Sequence, residues 1–428
     1  MIQHKKSGKA AFAMCLLFIL STGMTLFAEE RKFYFGDGSK DGFMKVTPDL
    51  VYGEKSCWGY DLQTKPEGKN PFFFSVDLPE GSYMVTLLLG NEHYATSTTV
   101  RSESRRLMLE NVETATGEFI TRSFTVNIRN IRIDATRSVR IKPREVGKLN
   151  WDDKLTLEVN GKNPGVREMI IRSVELPTIF LAGNSTVTDQ DNEPWCGWGQ
   201  MLPRFLNEDV VVANYAESGE AGNSFISAGR FDKILTQMKE GDYLFIEFGH
   251  NDQKQKGADR GPYTSYKQSL KQMIEGTRAR GATPVLVTPM HRRRFDETGK
   301  IINTLGDYPD AVRQLAAEEH VLLIDLNEMS KTLYEAWGPE VSKKAFVHYP
   351  AGTFPGQNEA LEDNTHFNTF GGDQICKCIL RGIQESDSPL KEFIVTEFDT
   401  FDPAHPDKAD DFYIPPTPFH SLTKPEGN

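Results

Sequence analysis

The spacing of apolar residues changes period at Pro177, so one uniform layer cannot accommodate the whole chain. Between residues 31 and 176, short alternating runs at 72–78, 83–89, 124–128, 139–142, 155–159 and 169–174 read as strands, with turn signals at Pro79-Glu80-Gly81 and Asn160-Gly161. Many short strands with no helix between them predict an antiparallel β-sandwich. From Thr178 onward, strands at 178–181, 210–214, 243–248, 284–288 and 321–325 alternate with helical patterns at 198–206, 231–239, 266–280, 308–319 and 372–384. This alternation predicts an α/β fold, a parallel sheet covered by helices on both faces and joined by right-handed connections. A chain of 428 residues exceeds what one core ordinarily serves, so two domains are expected, at 29–176 and 177–386. The remaining 387–428 is rich in Pro but also carries Phe and Tyr, and is expected to lie extended against the domains.

The amino-terminal residues carry Lys5, Lys6 and Lys9, then an apolar run from Ala10 to Leu20, then small or apolar residues to Ala28. That is the pattern of a secretory leader over 1–28. The run is shorter than the ~20 apolar residues of a membrane span, so a secreted or periplasmic protein with no retained membrane anchor is expected. Removing three lysines and no acids takes the formal charge from −11 to −14, a balance that disfavours nucleic acid as a partner. Cys57, Cys196, Cys376 and Cys378 remain and are all expected as buried thiols. Cys376 and Cys378 point in different directions from a helix, and with no Cys-x-x-Cys cluster no zinc site is expected.

Thr178-Ile179-Phe180-Leu181 runs straight into Ala182-Gly183-Asn184-Ser185, a small-residue turn that presents Ser185 at the carboxyl end of a buried strand. In an open α/β sheet, ligands bind at that edge. Gly219 and Asn251 also follow strands and fall on the same edge. Taken singly, each is an ordinary turn former. Together with Asp363-Asn364-Thr365-His366-Phe367, they match in order the four blocks of the SGNH (GDSL-like) esterases, which supply Ser, Gly, Asn and His. The chain resembles this family over 177–384. Within it the chain is most similar to the rhamnogalacturonan acetylesterases, through Asn214-x-Ala216-x-x-Gly219 and Glu247-Phe248-Gly249-His250-Asn251-Asp252. The resemblance implies a flavodoxin-like SGNH-hydrolase sheet. The strands before it resemble a galactose-binding-like jelly roll, either a sugar binder or a structural buttress. Two departures stand out: Asn184 replaces the aspartate of the GDSL signature, and Glu220-Ala221 stands where the related acetylesterases often carry Arg-Ser.

A serine hydroxyl needs a base to remove its proton as it attacks, and His366 is the candidate. Asp363, three residues earlier on the same side of a turn, is placed to fix the histidine tautomer and stabilise the imidazolium. The backbone N–H groups of Ser185 and Gly219 and the Asn251 amide are candidate oxyanion donors. The resemblance then implies a secreted serine acetylesterase acting on an acetylated plant cell-wall polysaccharide or oligosaccharide of the pectic rhamnogalacturonan type, with no metal or organic cofactor. Acetylated xylan, a lipid ester, and a catalytically inactive carbohydrate-binding protein are the alternatives; the intact Ser185, Asp363, His366, Gly219 and Asn251 argue against the last. His250 and His348 are either sugar-site or structural histidines, and Trp195 is suited to stacking on a sugar ring. An acidic protein repels a uronate polymer on balance, so local cations must bind it; Arg292-Arg293-Arg294, after the strand at 284–288, is the candidate, its alternative being a solvated loop.

Overall fold

A computed structural model describes residues 30–53, 55–66 and 70–426; the expected leader over 1–28 lies outside the described residues. The strands before Pro177 form two five-stranded sheets. One runs Met44–Lys45, Arg31–Tyr34, Val166–Ser173, Gly81–Gly90, Phe119–Ile128; the other runs Trp58–Asp61, Phe72–Asp77, Lys154–Asn160, Thr96–Ser102, Arg106–Thr114. Pairing is antiparallel except between Arg31–Tyr34 and Met44–Lys45. Alternate side chains point inward, so Phe33, Phe74, Val85, Leu87, Val126, Leu157 and Ile171 close a core between the sheets. Phe33 and Phe74 meet edge to face with centroids 5.5 Å apart.

Residues 139–142, expected as a strand, are not one. Val139 N–H bonds to Ile131 O at 2.8 Å and Arg140 N–H reaches across to Ala228 O at 2.9 Å, so this backbone is tied to other loops rather than to a ladder. It leads into a short 3₁₀ turn, Pro143–Glu145.

After Pro177 the five parallel strands are ordered Val211–Asn214, Thr178–Gly183, Tyr243–Glu247, Thr283–Val287, Leu322–Ile324. The chain leaves Thr178–Gly183 to one side and returns on the other, which puts the switch point beside Ser185. Both sheet faces are buried. Phe180, Ala182, Leu244, Ile246 and Leu286 pack with Phe225, Phe231, Leu270 and Val312, while Ile179, Leu181, Phe245, Val285 and Val287 pack with Trp198, Leu333 and Ile379. Two helices the sequence pattern did not suggest, Gly222–Ser227 and Leu326–Val341, complete these layers. Among the described residues, no helix is long and apolar enough to cross a membrane.

Cys196, Cys376 and Cys378 are buried thiols, and burial pushes the Cys196 thiol up to about 12. Cys57 is only partly buried, because it precedes an edge strand of its sheet.

The sandwich and the parallel sheet meet along a polar seam. Arg106 is buried with its Nε 3.2 Å from Asp189, and it donates to Asn127 O and Val212 O. Arg105 pairs with Glu193 at 2.5 Å and donates to Trp195 O at 2.8 Å. Arg230 and Glu145 form a fully buried pair. Residues 412–421 then run over this seam: Asn160 donates to Pro416 O at 2.9 Å, Glu193 N–H to Phe419 O at 3.0 Å, and Ser421 N–H to Glu193 O at 2.8 Å.

Candidate active site

The turn after Thr178–Gly183 is tight: a Cβ on Gly183 would come within 2.6 Å of Val187 Cγ2 and 3.0 Å of Glu247 O. The Asn184 side-chain oxygen accepts from Thr186 N–H at 3.0 Å, closing a local turn that fixes Ser185 between them. An amide therefore suffices at the position of the signature's aspartate. Thr186 and Trp198 both bond to Glu247, whose pKa is pushed up to about 8 by burial.

His366 approaches from a different element. Its Nε2 lies 2.9 Å from Ser185 Oγ and its Nδ1 2.8 Å from Asp363 Oδ2. The other Asp363 oxygen accepts the N–H groups of Thr365 at 2.7 Å and His366 at 3.0 Å. Burial alone would raise the Asp363 pKa, but its bonds to His366 and Thr365 prevail and hold it below the usual carboxylate range. The His366 pKa is lowered, first by burial and further by Lys424 and Lys254, with the Asp363 carboxylate opposing.

Asp363 and His366 lie on a strand, Leu361–Phe367, paired with Phe346–Tyr349, rather than on a turn. A register irregularity between Phe346 and His348 accompanies the meeting of these two side chains at i,i+3 spacing. After the strand Phe346–Tyr349 the chain is irregular until Leu361.

Gly219 has φ +77°, a conformation that favours glycine. Gln190 ties its loop to the serine turn, with Nε2 donating to Ser185 O at 2.9 Å and to Ser218 Oγ at 3.2 Å. Asn251 is buried and donates one amide hydrogen to Glu220 O at 2.9 Å, leaving the other available. Asp252 accepts from Gly222 and Gly249 N–H, each at 2.9 Å, and so fixes the Asn251 loop against the Gly219 loop.

The remaining sequence candidates divide. Trp195 is buried, edge-on to the His366 ring at 5.7 Å, and donates to Ser421 O at 2.8 Å. His250 is buried, its pKa depressed by burial and by Arg292 and His366. His348 bonds to Asn364 at 2.9 Å. Arg292 donates to Gln253 at 2.8 Å, Arg293 to Asn364 at 2.6 Å and Ser342 at 2.9 Å, and Arg294 is exposed. Residues the sequence did not mark also reach the site. Lys142 donates to Ser218 O at 2.6 Å, Arg144 pairs with Glu217 at 2.8 Å, and Lys424 lies 3.3 Å from Asp363. Their only sequence signal is charge, and 142 and 144 lie far upstream of the motifs.

A parallel sheet whose carboxyl edge presents a serine in one hydrogen-bonded line with a histidine and a carboxylate from a separate antiparallel strand pair has the architecture of a hydrolase. Residues 181–371 match the GDSL-like lipase/acylhydrolase family. The chain is 45% identical over 220 residues to the rhamnogalacturonan acetylesterase RhgT of Bacillus subtilis (strain 168), an alignment spanning 51% of this chain and 94% of that one. It is 27% identical over 409 residues to YxiM, an uncharacterized esterase of the same organism, across 89% of this chain and 98% of that one. The crystal structure of Bacillus subtilis YxiM aligns with a TM-score of 0.45 and 24% identity, covering 83% of this chain and 98% of that one. The chain belongs to the GDSL-like lipase/acylhydrolase family, and it is an esterase.

Proposed function

We propose that this protein is a secreted acetylesterase that removes acetyl groups from pectic rhamnogalacturonan by a Ser–His–Asp acyl-enzyme mechanism. One observation carries the mechanism: Ser185, His366 and Asp363 are joined by hydrogen bonds of 2.9 and 2.8 Å. The rhamnogalacturonan acetylesterase activity named for RhgT supports the substrate. The leader pattern over 1–28 supports secretion.

In this reading His366 Nε2 takes the proton from Ser185 Oγ as the oxygen attacks the acetyl carbon, and Asp363 holds Nδ1–H and stabilises the imidazolium. The Ser185 and Gly219 N–H groups and the free amide hydrogen of Asn251 receive the oxyanion. The imidazolium then gives its proton to the sugar oxygen as the C–O bond breaks, so the sugar leaves with a free hydroxyl and acetyl-Ser185 remains. Water activated by His366 releases acetate and restores the serine. The strands of 30–176 buttress the hydrolase unit of 177–386, and 387–426 packs over both.

Ser185→Ala removes one hydroxyl from a turn whose backbone is fixed by Asn184 and Gln190, so the fold is kept. Acetate release from acetylated rhamnogalacturonan and from a small acetyl ester is expected to fall by roughly 10³-fold or more. Retention of most of the activity by the folded variant refutes the mechanism. Faster wild-type release from neutral acetylxylan than from the pectic polymer refutes the substrate.

A further inference from the structure

A cleft of about 370 Å³ opens beside Ser218 and Trp195, and one wall is built by Arg144 and Lys148 from the connection between strands Phe119–Ile128 and Lys154–Asn160. Residues 421–426 form another wall. The anchored part of this segment ends at Ser421, whose backbone bonds to Glu193 and Trp195. Beyond it, the side-chain ion pairs are those of Lys424 with Asp363 at 3.3 Å and of Glu426 with Arg144 at 3.0 Å and Lys142 at 3.4 Å. The Glu426 carboxylate thus sits between two cations, and a Cβ on Gly219 would lie only 3.3 Å from its Oε2.

Lys142 and Arg144 are held from behind. Arg144 directs Nε and Nη2 to Glu217, and Nη2 also to Ser218 O, while Lys142 reaches Ser218 O and Glu220. Arg144 Nη1 is left to the cleft, where it meets Glu426, and the Lys142 ammonium reaches the same carboxylate oxygen at 3.4 Å. The acids behind them are buried, with side-chain exposures of 5% for Glu217 and 4% for Glu220, whereas Glu426 is 61% exposed. An ion pair that exposed is weakly held and screened by salt, so another carboxylate can exchange with it. The donors behind it are positioned by buried partners and stay in place.

We propose that Lys142 and Arg144 form a carboxylate subsite beside Gly219 that binds a uronate of the polymer, and that Glu426 occupies this subsite until the polymer displaces it. The proposal rests on the pectic reading for the identity of the carboxylate. It explains how an acidic protein recognises a polyanion: the cations are supplied locally, by a loop outside the stretch matched to the hydrolase family.

The test is competitive inhibition of small neutral acetyl-ester hydrolysis by unacetylated digalacturonate, with galactose as the uncharged control. In the full chain, Glu426→Gln is expected to lower the inhibition constant for digalacturonate about threefold by emptying the subsite. Lys142→Gln/Arg144→Gln is expected to raise it about tenfold, and Arg144→Lys to restore much of the loss relative to Arg144→Gln. Inhibition by galactose should not follow this order. No change on Glu426→Gln, or undiminished inhibition in the folded double variant, overturns the proposal. If the pattern holds but the wild type releases no acetate from acetylated rhamnogalacturonan, the pectic reading falls and the carboxylate subsite stands. If the wild type cleaves that polymer but the inhibition pattern is absent, the subsite falls and the pectic reading stands.

Discussion

The interior of the sandwich and the seam where it meets the parallel sheet are both buried, yet they are built from opposite materials. Phe33, Phe74, Val85 and Ile171 fill the first, where any well-shaped apolar set serves. Arg106, Asp189, Arg230, Glu145, Arg105 and Glu193 fill the second. Apolar contact is indifferent to small rotations, whereas a buried charge without its partner is costly, so the seam tolerates one relative placement far better than any other. The loop that carries Lys142 and Arg144 begins at this seam, with Glu145 accepting the Lys142 N–H at 2.7 Å. The sandwich core supplies stability, and the seam sets position.

The sharpest way to break this comparison is to remove one seam charge. Glu145→Ala takes from the buried Arg230 guanidinium its near partner, leaving only Glu220 at 3.8 Å, and removes the acceptor of Trp151, at an expected cost of ~3 kcal/mol in stability read by urea unfolding. It should also weaken digalacturonate inhibition in the protein that remains folded, because the 142–145 turn loses its anchor. A cost below about 1 kcal/mol would mean that the seam does not hold the two regions in register. The matched change in the sandwich core, Ile171→Val, removes one methyl group and should cost ~1 kcal/mol while leaving kcat and inhibition untouched. If it altered kcat as much as Glu145→Ala does, the division between core and seam would fail.

The smallest effect lies at the catalytic end. The His366 pKa is lowered below its ordinary value of 6.5, so the neutral base is populated already at mildly acidic pH, and kcat/KM should rise through an inflection below 6.5. Lys424 contributes to that lowering because its cation disfavours the imidazolium. Lys424→Met should therefore move the inflection upward, and only slightly, because the charge is half-exposed. A shift downward, or none, would show that Lys424 does not act on His366.

Much of this was legible in the sequence, and what was not has a physical cause. Strands that end in small residues revealed Ser185, Gly219 and Asn251, because a buried parallel strand is a continuous apolar run and its end is abrupt. The pairing of His366 with Asp363 was legible as a spacing, but not its placement on a strand, since a register irregularity has no composition of its own. Residues 139–142 alternate like a strand, yet their N–H groups are claimed by Ile131 and Ala228, partners that only the tertiary fold supplies. Helix Leu326–Val341 escaped notice because Gly338 and Pro339 near its end resemble a loop. The arginine run at 292–294 looked like a free cationic surface. Gln253, Ser342 and Asn364 occupy the donors of Arg292 and Arg293, and a sequence does not announce such partners.

The ionic seam also bears on how such a chain can be recombined. A β-sandwich with an apolar underside could be exchanged for another of similar shape, like a cassette. Here Arg105, Arg106 and Glu145 on one side are keyed to Glu193, Asp189 and Arg230 on the other. A chimera that joins residues 177–428 to a foreign sandwich would have to carry these three side chains with it, each at its original angle, or bury three charges stripped of their near partners where the two parts meet.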